Sequence, residues 1–239
     1  MGFCSNIDEV PSEKIAHGIL RRVLMRPEQK GLGPPGKLTV THYTLTDGGV
    51  LTLEEPDVEY QDYIVSGAAL LPRGARTRYI YANTTIFVPA NQKHSYIHAG
   101  ESDLRIVSHT YSVPRPSHPN ASMHLAELTL DTWGEPSLMT AEFHALIGAQ
   151  RFKGIGVQIY DRGKHPNPEE TVYFMRGTGE MSVGDKVFKV RSGSLVYVEE
   201  GEVHSITNTN EKGYPLHYFV MEYAEQDKMW SRRGFQGKI

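Results

Sequence analysis

One alignment constrains this chain more than any other feature. Written above residues 161–210 without a gap, residues 51–100 repeat themselves in fixed register. The matched pairs are Pro56/Pro166, Glu59/Glu169, Tyr63/Tyr173, Gly67/Gly177, Gly74/Gly184, Val88/Val198, His94/His204 and Ser95/Ser205. Paired glycines at constant spacing mark shared turns, where a positive φ or a close approach excludes a side chain. A chain that repeats once at this period folds as two similar units. Within the second copy, 171–175, 186–190, 195–198 and 217–223 are rich in Val, Phe, Tyr and Ile and are parted by glycine turns. Short runs of that kind are antiparallel strands of a sandwich or barrel.

The second copy also carries a spacing that bears chemistry. Gly193 is followed after five residues by Glu199-Glu200-Gly201, then by His204 and Asn208. Upstream, His165 precedes Glu170 by five positions and Gly177 by twelve. The first set resembles the second motif of the cupin family, with Glu199 in the place of its proline. The second set is similar to the latter part of the first cupin motif, whose opening histidine falls on Gly163 here. The resemblance implies an all-β fold of two tandem cupin barrels, each a double-stranded β-helix or jelly roll. It divides the chain into an N-terminal arm (1–35), an N-terminal barrel (36–112), a linker (113–123), a C-terminal barrel (124–224) and a tail (225–239). The proline-rich stretch 112–121 is read as that linker. Residues 12–25 fit a short helix or an extended arm, and 134–148 has a helical flavour.

The resemblance further implies that His165, Glu170 and His204 hold one divalent transition metal. Alternating side chains let two imidazoles and a carboxylate on neighbouring strands converge inside a barrel. Such a set suits Fe, Mn, Ni or Zn and leaves positions open for substrate or oxygen. Glu170 then acts as a ligand, and Glu169 is a candidate proton carrier. Phe174, Tyr197 and His217 are candidates for a substrate pocket, with Trp230, Arg232 and Arg233 of the tail beside them. In the first copy the equivalents of His165 and Glu170 are Glu55 and Tyr60, so that barrel is expected to be structural and without metal. Arg73, Arg76 and Arg78 are read as a solvated basic hairpin.

Composition narrows the rest. The net charge of −3 argues against a nucleic-acid or anionic-membrane partner. Cys4 is the sole cysteine, which excludes an intramolecular disulfide and favours a reducing compartment. With no leader-like start and no long apolar run, a cytoplasmic protein is expected. The expected function is a metal-dependent enzyme acting on a small oxygenated metabolite, of isomerase or hydrolase type. An Fe(II) dioxygenase and a non-catalytic metabolite-binding barrel are the alternatives. A homo-oligomer, most simply a dimer, is implied by the resemblance.

Overall fold

The computed structural model describes residues 2–26, 38–112, 123–127, 139–146, 151–154, 157–160, 163–166, 169–199, 201–211 and 214–223. Every regular element among them is a strand. Contacts divide the chain into two units, one of residues 7–30 and 34–129, the other of 1–6, 31–33 and 130–239. None of the described residues forms a helix long and apolar enough to cross a membrane.

In chain order the first strand is β1 (Phe3–Asn6), which belongs to the second unit. The first unit then contains β2 (Glu13–Ala16), β3 (Ile19–Met25), β4 (Leu38–Leu45), β5 (Val50–Leu53), β6 (Val58–Ser66) and β7 (Ala68–Arg73). It continues through β8 (Arg76–Tyr81), β9 (Thr84–Val88), β10 (His94–Ala99), β11 (Leu104–Ser112) and β12 (His124–Glu127). Seven of these form a sheet in the order β12-β9-β6-β11-β4-β3-β2, and four form a second in the order β5-β10-β7-β8. The core gathers where strand alternation turns one face of each sheet inward. Leu45, Ile64, Leu71, Ile86, Val88, Tyr96 and Ile106 are buried there. A large apolar side chain so buried contributes roughly 1.5–3 kcal/mol.

The second unit comprises β13 (Met139–Leu146), β14 (Arg151–Gly154), β15 (Val157–Tyr160), β16 (Gly163–Pro166) and β17 (Glu169–Arg176). After them come β18 (Thr178–Val183), β19 (Lys186–Arg191), β20 (Ser194–Val198), β21 (His204–Asn208) and β22 (Leu216–Tyr223). The sheets are β1-β20-β17-β22-β13, β14-β21-β18-β19 and the ribbon β15-β16. Val172, Phe174, Met181, Val196, Val198, Ile206 and Tyr218 make its core.

The repeat is visible in the backbone. Gly67 and Gly177 have φ of 79° and 88°, and Gly74 and Gly184 have 58° and 54°. At Gly67 an added Cβ would lie 2.5 Å from the Asp103 carbonyl oxygen, and at Gly177 it would lie 2.5 Å from Asn210 Nδ2. Both turns therefore need glycine for conformation and for space. His94 and His204 each open a strand that pairs with the strand following such a glycine.

Several expectations are corrected. Residues 12–25 are neither a helix nor an arm, because β2 and β3 extend the seven-stranded sheet from β4. Phe3–Asn6 likewise is no free arm, since it pairs with β20. The helical flavour of 134–148 gives way to β13, whose eight residues pair with β22. Residues 124–127, placed at the start of the C-terminal barrel, instead close the first unit by pairing with β9. Most of the expected linker, and the tail with Trp230, Arg232 and Arg233, lie outside the described residues.

Candidate metal centre

The glycines of the second motif place its histidine. Gly193, with φ of 83°, donates its N–H to the Phe174 carbonyl and sends the chain into β20. Gly201, with φ of 76°, makes the turn that precedes β21. The Glu202 carboxylate accepts from the Glu199 N–H at 3.3 Å, which fixes this turn. Asn208 ends the strand by donating to the Tyr214 carbonyl at 2.9 Å and accepting from the Asn210 backbone N–H at 2.8 Å. The motif's asparagine therefore organises a turn here.

His204 and Glu170 meet inside the second barrel. Nε2 of His204 lies 3.2 Å from Oε2 of Glu170, and both residues are buried. Nδ1 of His204 lies 3.1 Å from the Glu202 carbonyl, an acceptor only, so Nδ1 carries the proton and donates it. Nε2 faces a second acceptor, the Glu170 carboxylate, so both ring nitrogens are placed to donate. Burial opposes a charge on His204, but the hydrogen bond and charge of Glu170, with Glu202, outweigh it and raise the imidazole's pKa. The pair is thus a place where positive charge is stabilised.

His165 stands on β16 opposite Gln158, and Gly163 opposite Tyr160. The side chain of His165 lies outside the described part of the molecule, so the expected third ligand is located by its strand alone. Among the described residues no group of three His, Cys, Asp or Glu side chains is assembled.

The other expected site residues are scattered. Glu169 neighbours Glu170 on β17, so the strand's alternation turns it to the opposite face of the sheet. It therefore lies on the other face of the strand from Glu170. Phe174 is in the core of the barrel, its ring 5.8 Å from that of Tyr218. Tyr197 alternates with the core residues Val196 and Val198 and so faces away from Phe174. His217 is half-buried beside Arg176, and burial followed by the arginine's charge lowers its pKa. These three do not line one pocket.

The first barrel contains a pair that sequence reasoning missed. Tyr60 occupies the place of Glu170, since it pairs with Val88 as Glu170 pairs with Val198. Burial, and then the charges of Glu55 and Asp62, push its pKa up, so it stays a neutral phenol. Two residues further along the same face, the fully buried Asp62 supplies a carboxylate. Its Oδ2 lies 3.0 Å from Nε2 of His94 and accepts from the Tyr96 hydroxyl at 2.6 Å. Among the described residues Nδ1 of His94 has no acceptor. The Nε2–H therefore faces the Asp62 carboxylate, as Nε2 of His204 faces that of Glu170. The signal was the period of two: a carboxylate two residues along a strand faces the same way.

Comparison with known proteins agrees with this architecture. Residues 158–222 match the family model described as Cupin domain. Protein Ylba from E. coli superposes with a TM-score of 0.73 at 12% identity, covering 93% of this chain and 90% of that one. AerE from Microcystis aeruginosa gives 0.71 at 10% identity, covering 90% and 97%. Bacillus subtilis oxalate decarboxylase, a protein with Mn(II) centres, gives 0.69 at 12% identity, covering 92% and 76%. A search of curated protein sequences found no match. The class so defined is the cupin fold. Within it, 158–222 is the segment that also carries the cupin sequence pattern.

Proposed function

We propose that this protein is a divalent-metal-dependent cupin enzyme whose C-terminal barrel acts on a small metabolite bearing a carbonyl or carboxylate. The observation that carries the reading is the hold of the Glu202 carbonyl on Nδ1 of His204, with Glu170 facing Nε2. A metal-binding histidine characteristically donates its other N–H to a carbonyl or carboxylate, which holds the ring and raises its basicity. The Glu202 carbonyl does this for His204, while Glu170 brings an oxygen donor to the same point. One nitrogen and one carboxylate oxygen in a buried site suit a first-row divalent ion. His165 is the proposed third ligand, and Gly163 leaves room beside it.

Bound there, the metal would act as a Lewis acid toward a substrate oxygen. The chain's own residues do the rest. Glu170 and His204 supply the donors, and Glu202 holds the imidazole in register. Val172, Phe174, Val196, Val198 and Tyr218 form the apolar core of the same barrel, and the burial of the pair strengthens its electrostatics.

Metal analysis of the purified protein, with His204→Ala and His94→Ala beside it, tests the reading. One equivalent of metal in the wild type, none in His204→Ala and one in His94→Ala is the expected result. Metal-free wild-type protein, or a His204→Ala variant that keeps its metal, refutes it. An oxygen electrode then separates the chemistries: zinc or manganese without oxygen uptake supports a non-redox reaction, and iron with uptake supports a dioxygenase.

A further inference from the structure

The hairpin that joins β7 to β8 recurs in the second unit as β18–β19, and the two tips differ in charge. In the first unit Arg73 pairs directly with Arg76 across the turn, and Arg78 stands two residues further along on the same side. That side is the inner one, since Ala69, Leu71 and Ile80 on it are buried, but at the tip the three arginines are exposed. The repeat places Val183, Lys186 and Phe188 at the same positions in the second unit. There the tip is closed by the chain itself. Val183 is buried, and Lys186 donates to the Gly2 carbonyl at 3.1 Å.

The turns before His94 and His204 differ in the complementary sense. Gln92 donates its N–H to the Pro89 carbonyl as Glu202 does to that of Glu199, so the two turns share a backbone. In the second unit the Glu202 side chain lies against the hairpin tip, where a Cβ added at Gly184 would be 3.1 Å from Oε1 of its carboxylate. In the first unit the corresponding residue is the neutral Gln92, and a Cβ added at Gly74 would meet nothing within 4 Å. The conformation is the same, with φ of 58° at Gly74 and 54° at Gly184. This corner therefore carries Lys186, Asp185 and Glu202 in the second unit, and three arginines with Ala75 and Gln92 in the first.

Like charges placed directly opposite one another on paired strands repel, and a nearby carboxylate relieves the repulsion. Arg21 and Lys93 of the same unit each have one, Glu13 at 2.7 Å and Glu54 at 3.3 Å. Among the described residues Arg73 and Arg76 have neither a carboxylate nor a hydrogen-bond acceptor. Guanidinium forks gathered on one side of a hairpin match an oxyanion in bidentate fashion. On a chain of net charge −3, so local an excess of positive charge fits a small anion rather than a nucleic acid. We propose that Arg73, Arg76 and Arg78 form a binding site for the phosphate group of a small molecule, seated in the place that the Glu202 carboxylate takes in the second unit. Three cations suit a dianionic phosphate better than a carboxylate, which carries a single charge.

The test titrates inorganic phosphate into the intact chain by isothermal titration calorimetry at low salt. One equivalent should bind with a dissociation constant below about 1 mM, and the binding should weaken as salt screens the site. Arg73→Gln with Arg76→Gln should raise that constant about tenfold or more, with an unchanged circular dichroism spectrum. Gln92→Glu returns the second unit's carboxylate to this corner and should weaken binding likewise, which decides the matter if the double variant fails to fold. Lys189→Gln removes an exposed charge from the second unit and should leave the constant as it was. Succinate, whose two charges sit on separate carboxylates, should bind more weakly than phosphate. Wild-type protein that binds no phosphate overturns the proposal. So does a constant unaltered in the folded double variant or in Gln92→Glu, binding lost in Lys189→Gln, or succinate held as tightly as phosphate.

Discussion

Two histidines of the first barrel make its stability depend on acid in a calculable way. His42 on β4 and His109 on β11 are both fully buried. Burial, aided by the charges of Arg105 and Arg22, lowers the pKa of His42 to about 3. Burial lowers that of His109 to about 4, against weaker opposing effects of Asp62 and the Gln61 backbone. In the unfolded chain each titrates near 6.5. Between these limits the unfolded state binds more protons than the folded one, so stability rises with pH. It is undiminished above about pH 6.5 and falls as pH drops, until the folded-state values near 4 and 3 are passed. At pH 5 each histidine lies about 1.5 units below its unfolded value, which costs roughly 2 kcal/mol per residue at 1.36 kcal/mol per unit. Together they remove about 4 kcal/mol between pH 7.5 and 5, a large share of a total that rarely exceeds about 15 kcal/mol. The readout is urea unfolding followed by near-ultraviolet circular dichroism. His42→Gln and His109→Gln are each less stable than the wild type at pH 7.5. Each should nevertheless lose about 2 kcal/mol less than the wild type on going to pH 5. Equal acid losses in the wild type and both variants would refute the reasoning.

The glycine turns and the buried carboxylate give further tests. Gly74→Ala meets nothing within 4 Å and should cost only the left-handed conformation, about 1 kcal/mol. Gly67→Ala adds a clash with the Asp103 and Leu104 backbone and should cost distinctly more, about 3 kcal/mol or above, so paired thermal melts with equal shifts would contradict the geometry. Tyr96→Phe removes the donor at 2.6 Å from Asp62 and should cost about 1–3 kcal/mol, read as a lower denaturation midpoint with an unchanged slope.

The fold was legible because its strands and its turns signal locally. The four strands read from the second copy all appear within a residue or two, in β17, β19, β20 and β22. What the sequence concealed were strands that form through partners. Phe3–Asn6 and Met139–Leu146 lack alternation strong enough to announce themselves, and each becomes a strand by completing the hydrogen bonding of β20 or β22. Tertiary pairing of this kind overrides local propensity. Residues 12–25 are the same case, since Gly18, which weakened a helix, is the positive-φ corner of a hairpin.

The site was legible in one barrel and disguised in the other, and the disguise is chemical. Placed on the repeat, Asn83 and Asn91 fall on Gly193 and Gly201, and they have φ of 66° and 63° where the glycines have 83° and 76°. Asparagine is the non-glycine residue that best tolerates this region. The first copy therefore keeps the backbone of the whole second motif, including Pro89 where the second copy has Glu199, while losing its glycine letters. The backbone was retained and the chemistry altered: His94 survives, yet its carboxylate partner has moved from the position of Glu170 to that of Val172. This two-residue step keeps the carboxylate on the inner face and sinks it into the core, where Tyr96 also binds it. A matched histidine is thus a poor guide to function by itself. What separates the barrels is the acceptor on Nδ1, present at His204 and, among the described residues, absent at His94. One imidazole is held through both ring nitrogens, the other through Nε2.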